Sequence, residues 1–80
     1  RQRALTVFAG EGMIAAGLAG VQKTFPDLPM GSYPFVREGR YGTTLVVRGA
    51  DPDRLAEAFR ALEVMVGELG LEAVIVESAT

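Results

Sequence analysis

"GSYPFVREGRYGTTLVVRG", residues 31–49, holds two extended runs on either side of a Glu38-Gly39-Arg40 break. The stretch reads as a β-hairpin. Pro34 has no N–H to give to a ladder, so the strand predicted over 32–38 belongs at a sheet edge. The run 41–49 is uninterrupted and rich in β-branched residues, which suits a central strand. Alternation puts Tyr33, Phe35 and Arg37 on one face of the first strand and Ser32, Pro34 and Val36 on the other. Gly39 and Gly42 read as turn glycines that supply positive φ. Tyr33, Phe35, Arg37, Arg40, Tyr41 and Arg48 are the candidate interaction surface. Their alternative role is that of rings and charges that serve folding and blunt an exposed edge.

Working outward, the apolar period switches between two and 3.6. "ALTVFA" (4–9) reads as a strand, broken by Gly10 and Gly12. From Glu11, Ile14, Leu18, Val21 and Phe25 form one helical stripe that Pro26 stops. Gly17 and Gly20 inside it are expected to mark close approach to a neighbour. After the hairpin, Asp51-Pro52 is a helix start, with a capping carboxylate and proline at the first helical position. Leu55, Phe59, Leu62, Val66 and Leu69 continue that helix to a left-handed cap at Gly70. "EAVIVES" (72–78) is the last strand. Right-handed crossovers applied to β-α-β-β-α-β give an α+β two-layer sandwich, ferredoxin-like. Its four-stranded antiparallel sheet has order 4-1-3-2 and both helices on one face, with a KH-type variant as runner-up. The uncovered face is expected to be apolar at Phe8, Val46, Val74 and Val76, and hence an interface.

Eighty residues make one domain, 1–80. With 49% hydrophobic and 22% charged residues the chain is globular, and its apolar runs are too short to span a bilayer. It holds no Cys and no His, which removes disulfides, thiolate chemistry, imidazole bases and the commonest zinc ligands. The net charge of −2 argues against a dedicated nucleic-acid binder. A start at Arg1 without a signal-peptide pattern suggests a piece of a longer, cytoplasmic protein.

Three motifs invite chemistry. "GEGMIA" (10–15) fits G-x-G-x-x-A, but a dinucleotide site needs a parallel β-α-β unit and an acid ending the next strand. Here a proline-bearing edge strand follows, so a tight strand-to-helix turn is the better reading. "GLAG" (17–20) is a literal GxxG, yet it lies within an amphipathic stripe rather than in an exposed loop that grips nucleic acid. Asp51 and Asp53 serve a helix N-terminus, and no hydroxyl has an evident activator. The residues therefore predict no catalytic, cofactor or metal site.

The stretch from Phe25 to about residue 60 resembles the C-terminal region of the competence/damage-inducible protein A (CinA-like) group, also called molybdopterin-binding-domain proteins, and the flanks resemble it loosely. The matching residues are Phe25, Pro26, Asp27, Gly31 to Phe35, Arg37, Gly39 to Thr43, Leu45, Val46, Arg48, Gly49 and Asp51. The resemblance implies a C-terminal accessory domain whose parent carries a MoaB/MogA-like α/β domain. In longer relatives that domain is linked to ADP-ribose pyrophosphatase activity, and an appended one to nicotinamide-nucleotide deamidation. None of those catalytic residues map onto this chain. The expectation is a non-catalytic interaction domain that packs on the missing N-terminal domain or forms a homo-oligomer through its sheet face or edge. A nucleic-acid module and a small-ligand regulatory domain are the competing readings.

Overall fold

A computed structural model describes residues 1–76, with side-chain surroundings given for 1–74. The elements are β1 (Gln2–Val7), α1 (Glu11–Thr24), β2 (Met30–Arg37), β3 (Arg40–Arg48), α2 (Pro52–Glu68) and β4 (Ala73–Val76). The sheet is four-stranded, all its pairings antiparallel, in the order β2-β3-β1-β4. This is the ferredoxin-like order read from the sequence, and it sets the KH-type variant aside. β1 runs from 2 to 7, two residues earlier at each end than expected, so Phe8 and Ala9 lead off the strand toward α1.

The hairpin is as tight as its sequence allows. Arg37 pairs with Arg40, leaving a two-residue turn in which both Glu38 (φ 52) and Gly39 (φ 78) are left-handed. That is the signature of a type I′ turn, whose twist matches the strands it joins. Gly42 corrects the reading from sequence: it has no positive φ but lies inside β3, directly under the Phe35 ring. A Cβ there would fall 2.8 Å from the ring's Cε1 and Cε2 and nearer still to Cζ. Its requirement is space, not conformation.

Edge placement of Pro34 also follows from the register. Arg48 N–H donates to Pro29 C=O at 3.0 Å, so bonded positions alternate through Gly31, Tyr33, Phe35 and Arg37. Pro34 falls between them, with its nitrogen turned to the open side. The Gln22 side chain occupies another edge position, accepting from Met30 N–H at 3.0 Å and donating to Phe25 and Leu28 carbonyls. Proline and glutamine together blunt this edge against strand addition.

The core lies between the helices and one sheet face. Leu5, Val7, Leu45 and Val47 beneath, with Ile14, Leu55, Phe59, Leu62 and Val66 above, are buried. Leu18 and Val21 are half-buried. Thr43 is wholly buried in this layer and donates its hydroxyl to Ala9 C=O at 2.9 Å, pinning the β1–α1 connection. Asp51 caps α2 by accepting from Asp53 N–H at 3.0 Å. At the other end, Leu71 N–H donates to Val66 C=O and Gly70 N–H to Gly67 C=O, with Gly70 at φ 73. This is a Schellman closure.

Candidate interaction surfaces

The register sorts the six residues singled out from the sequence. Tyr33, Phe35, Arg37, Arg40 and Arg48 share the parity of Ala4, Thr6 and Val46, opposite to the core residues Leu5, Leu45 and Val47. They lie on the helix-free face. Tyr41 pairs with Val36 and has the other parity, so it stands apart from the five, 73% exposed.

Within the five, the hairpin end gathers a cluster that also includes Phe8, which the sequence reading had marked only as an apolar position. Phe8 and Phe35 meet edge to face, ring centroids 6.1 Å apart at 80°. The Arg40 guanidinium lies 3.8 Å over Phe8 and that of Arg37 4.9 Å over Phe35. Gly42 makes the bed on which Phe35 lies. Arg48 is at the far end of β3, donating from Nε to the Gln2 side chain at 3.0 Å. The middle of the face departs from expectation. Val46 is buried, as are Ala4 and Thr6, and Thr6 bonds the Thr44 hydroxyl at 3.3 Å. Of the four apolar positions expected to be bare, Val74 is exposed and Phe8 half-buried, while the Val76 side chain lies outside the described ones. The helix-free face is therefore cationic and aromatic toward the hairpin, with Ala4, Thr6 and Val46 buried at its middle and Val74 exposed beyond them.

A second surface was missed altogether. The side of α1 turned from the core carries Gly12, Met13, Ala15, Ala16, Ala19 and Gly20, all exposed. No polar side chain interrupts that run. Beside it, Gly17, Gly20, Val21, Ala61, Val64 and Met65 line a groove of about 530 Å³ between the helices, rimmed by Arg60 and Glu68. Met13 is 58% and Val64 50% exposed. Of the two glycines expected to mark close packing, Gly17 does so, covered by the Met65 side chain. Gly20 has open space above it. The signal was available in the sequence: "GMIAAGLAGV" (12–21) contains no charge, whereas a surface helix normally has one polar face.

Three further charged side chains tie elements together. Arg54 makes two hydrogen bonds to the Asp27 carboxylate, at 3.1 and 2.9 Å, and stacks 4.4 Å over Phe25, tying the α1–β2 connection to α2. Those bonds hold the Asp27 carboxyl below the usual carboxylate range and raise the Arg54 guanidinium. Glu11 accepts from the Ser32 hydroxyl at 3.0 Å, which occupies the acid of the G-x-G-x-x-A stretch in joining α1 to β2. Among the described residues no group of three or more His, Cys, Asp or Glu is placed to hold a metal. No described helix is long and apolar enough to cross a membrane.

Comparison with known proteins places this geometry. Residues 1–74 match the family model described as FAD synthase, middle domain. The family is thus that of a small domain of an enzyme. No curated protein matches the chain. Among solved structures, the de novo designed protein Foldit4 is similar with TM-score 0.72 at 13% identity, over 99% of this chain and 93% of that one. A designed protein with ferredoxin fold, LFR1 1, follows at 0.65 and 11%, over 99% and 86%. A formyltetrahydrofolate deformylase from Burkholderia mallei is similar at 0.58 and 17%, over 96% of this chain but 28% of its own. At these identities the likeness shows the fold.

The family match overturns the resemblance to the competence/damage-inducible group. With it fall the molybdopterin-binding assignment and the expected nucleotide-hydrolase chemistry of the parent. The nucleic-acid and ligand-regulatory alternatives gain no support either. The physical reason lies in what the shared phrase encodes. Pro34 at the edge, Gly39 in the turn, Gly42 under a ring and Asp51 at a helix cap each have a local structural role and none carries chemistry. The resemblance runs from Phe25 to about residue 60, whereas the family match over 1–74 takes in β1, α1 and the rest of α2 as well.

Proposed function

The chain belongs to the FAD synthase middle-domain family, and on that premise we propose that it is a non-catalytic module of a cytoplasmic FAD-synthase-type protein. Its role is to hold an adjoining domain of the same protein. The observation that carries this reading is the outward side of α1. A surface helix ordinarily turns a polar side to water, and here Gly12, Met13, Ala15, Ala16, Ala19 and Gly20 meet solvent with no polar side chain among them, up to Lys23 one turn on. The groove beside it continues the apolar surface onto α2 through Ala61 and Val64. Small side chains let another backbone approach closely, and Met13 and Val64 flank the contact with flexible and branched bulk. The family's description as a middle domain favours a neighbouring domain as the occupant over a second copy.

Assays of FAD formation with the 80-residue chain and with its parent protein test the reading. The chain alone is expected to form none. In the parent, Ala16→Glu with Ala19→Glu is expected to lower the melting temperature and open inter-domain sites to protease. The same pair leaves the melting of the 80-residue chain within a few degrees, because both positions are exposed. FAD formation by the chain alone, or a parent indifferent to the double substitution, contradicts the proposal.

A further inference from the structure

We propose that the hairpin end of the helix-free sheet face is a built docking site for a carboxylate-bearing protein surface, with the Arg37 and Arg40 guanidiniums as its anchors. The site is separate from the α1 surface, so either proposal can fail without the other.

Arg37 and Arg40 stand directly opposite one another on paired strands. Like charges in that position are destabilising, and no carboxylate among the described residues lies within ion-pair distance of either. Glu38, in the turn between them, is exposed and pairs with neither. Instead each guanidinium is laid on a ring, Arg40 on Phe8 and Arg37 on Phe35, and the rings brace each other edge to face. Gly42 clears the space that lets Phe35 lie down. Stacking restrains the long side chains while leaving the N–H edges open, so less rotamer freedom is lost when an anion arrives.

Charge is segregated across the molecule. Arg37, Arg40 and Arg48 lie on this face with no acidic side chain among its described strand positions. Asp53, Glu57, Glu63 and Glu68 lie on α2, in the opposite layer, where Arg54 and Arg60 offset them only in part. A net charge of −2 therefore conceals a basic face that would steer an acidic partner. One groove on this face is lined by Tyr33, Val46 and Arg48 and another reaches Phe35 and Gly42 from the edge of β2, while Arg37 and Arg40 line neither. Both guanidiniums belong to exposed residues that line none of these grooves, which favours a macromolecular surface over a small anion, ordinarily held in a concave pocket. The same arginines, facing one another across a two-fold axis, disfavour a symmetric dimer through this face.

Titration of the isotopically labelled chain with an oligoglutamate peptide, followed by amide shifts, tests this. Inorganic pyrophosphate and oligothymidylate serve as comparison probes. The expected result is saturable shifts confined to Phe8 and 35–42, with affinity falling as salt rises. Arg37→Gln with Arg40→Gln should weaken binding at least about tenfold. Arg37→Lys with Arg40→Lys, which keeps the charge and loses the flat stacking, should also weaken it several-fold. Both variants must retain the parent melting curve. Shifts scattered over other faces, full affinity in the lysine variant, or tighter binding of pyrophosphate or oligothymidylate than of oligoglutamate would overturn the proposal.

Discussion

Glu38 is held at φ 52 in a turn that wants asparagine or glycine. An L-residue with a Cβ spends roughly 1–2 kcal/mol there, and asparagine recovers part of it through local hydrogen bonding. Glu38→Asn should therefore raise stability by about 0.5–1 kcal/mol, which a small domain shows as several degrees in Tm. Thr43 makes the converse case. Thr43→Val keeps the shape but leaves Ala9 C=O without its buried donor, at a cost of about 1–3 kcal/mol by urea unfolding. Asp27 predicts a pH effect with a definite sign. Its folded pKa is depressed by Arg54, so its contribution is present above the unfolded carboxylate pKa and fades as pH falls through the folded one. Asp27→Asn should thus be less stable than the parent chain at neutral pH, and the two denaturation curves should converge in acid. The site is exposed, so salt should shrink the gap. Among single residues, the sequence exposed those whose constraint is covalent, Pro34 above all. Gly42 was misread because a glycine kept for space and one kept for φ look alike in sequence.

The two helices differ in how openly their sequences speak. α2 pairs an apolar stripe with charges on its other side, and Leu55, Phe59, Leu62 and Val66 are buried as the period requires. Phe59→Ala should cost about 3–5 kcal/mol, since the ring is 1% exposed and carries the Arg3 guanidinium 4.1 Å above it. Asp51→Ala should remove about 1 kcal/mol with the cap. In α1 the stripe Ile14, Leu18, Val21 and Phe25 located the buried side, but nothing in that period says what the other side meets. Gly20→Ala probes it. With open space above Gly20, alanine should stabilise the 80-residue chain by up to about 1 kcal/mol through helix propensity. A loss of stability instead would show a neighbour where open space is described. β4 is the element least available to test, for the side chains of Ile75 and Val76 and all of 77–80 lie outside the described residues.

At the scale of the whole molecule, topology was legible because each constraint was local and they agreed. A proline forced one strand to the edge, a β-branched run asked for the centre, and crossover handedness left one order. Family was not legible. The residues of the hairpin phrase that the structure explains serve the turn, the edge and the helix cap, and none of them carries chemistry that marks a family. The candidate surface was half legible: alternation placed Tyr33, Phe35 and Arg37 together, while Phe8 and Arg40 reached one cluster only through the sheet register. The surface of α1 was hidden by attention to the buried stripe. The central claim, that this surface rests on an adjoining domain, has a direct test, because the chain contains no cysteine. Ala16→Cys gives a single thiol, whose labelling rate can be compared by peptide mapping in the 80-residue chain and in the parent protein. Labelling should be rapid in the chain and at least about tenfold slower in the parent, as expected for a thiol covered by a packed interface. Equal rates in the two would contradict it.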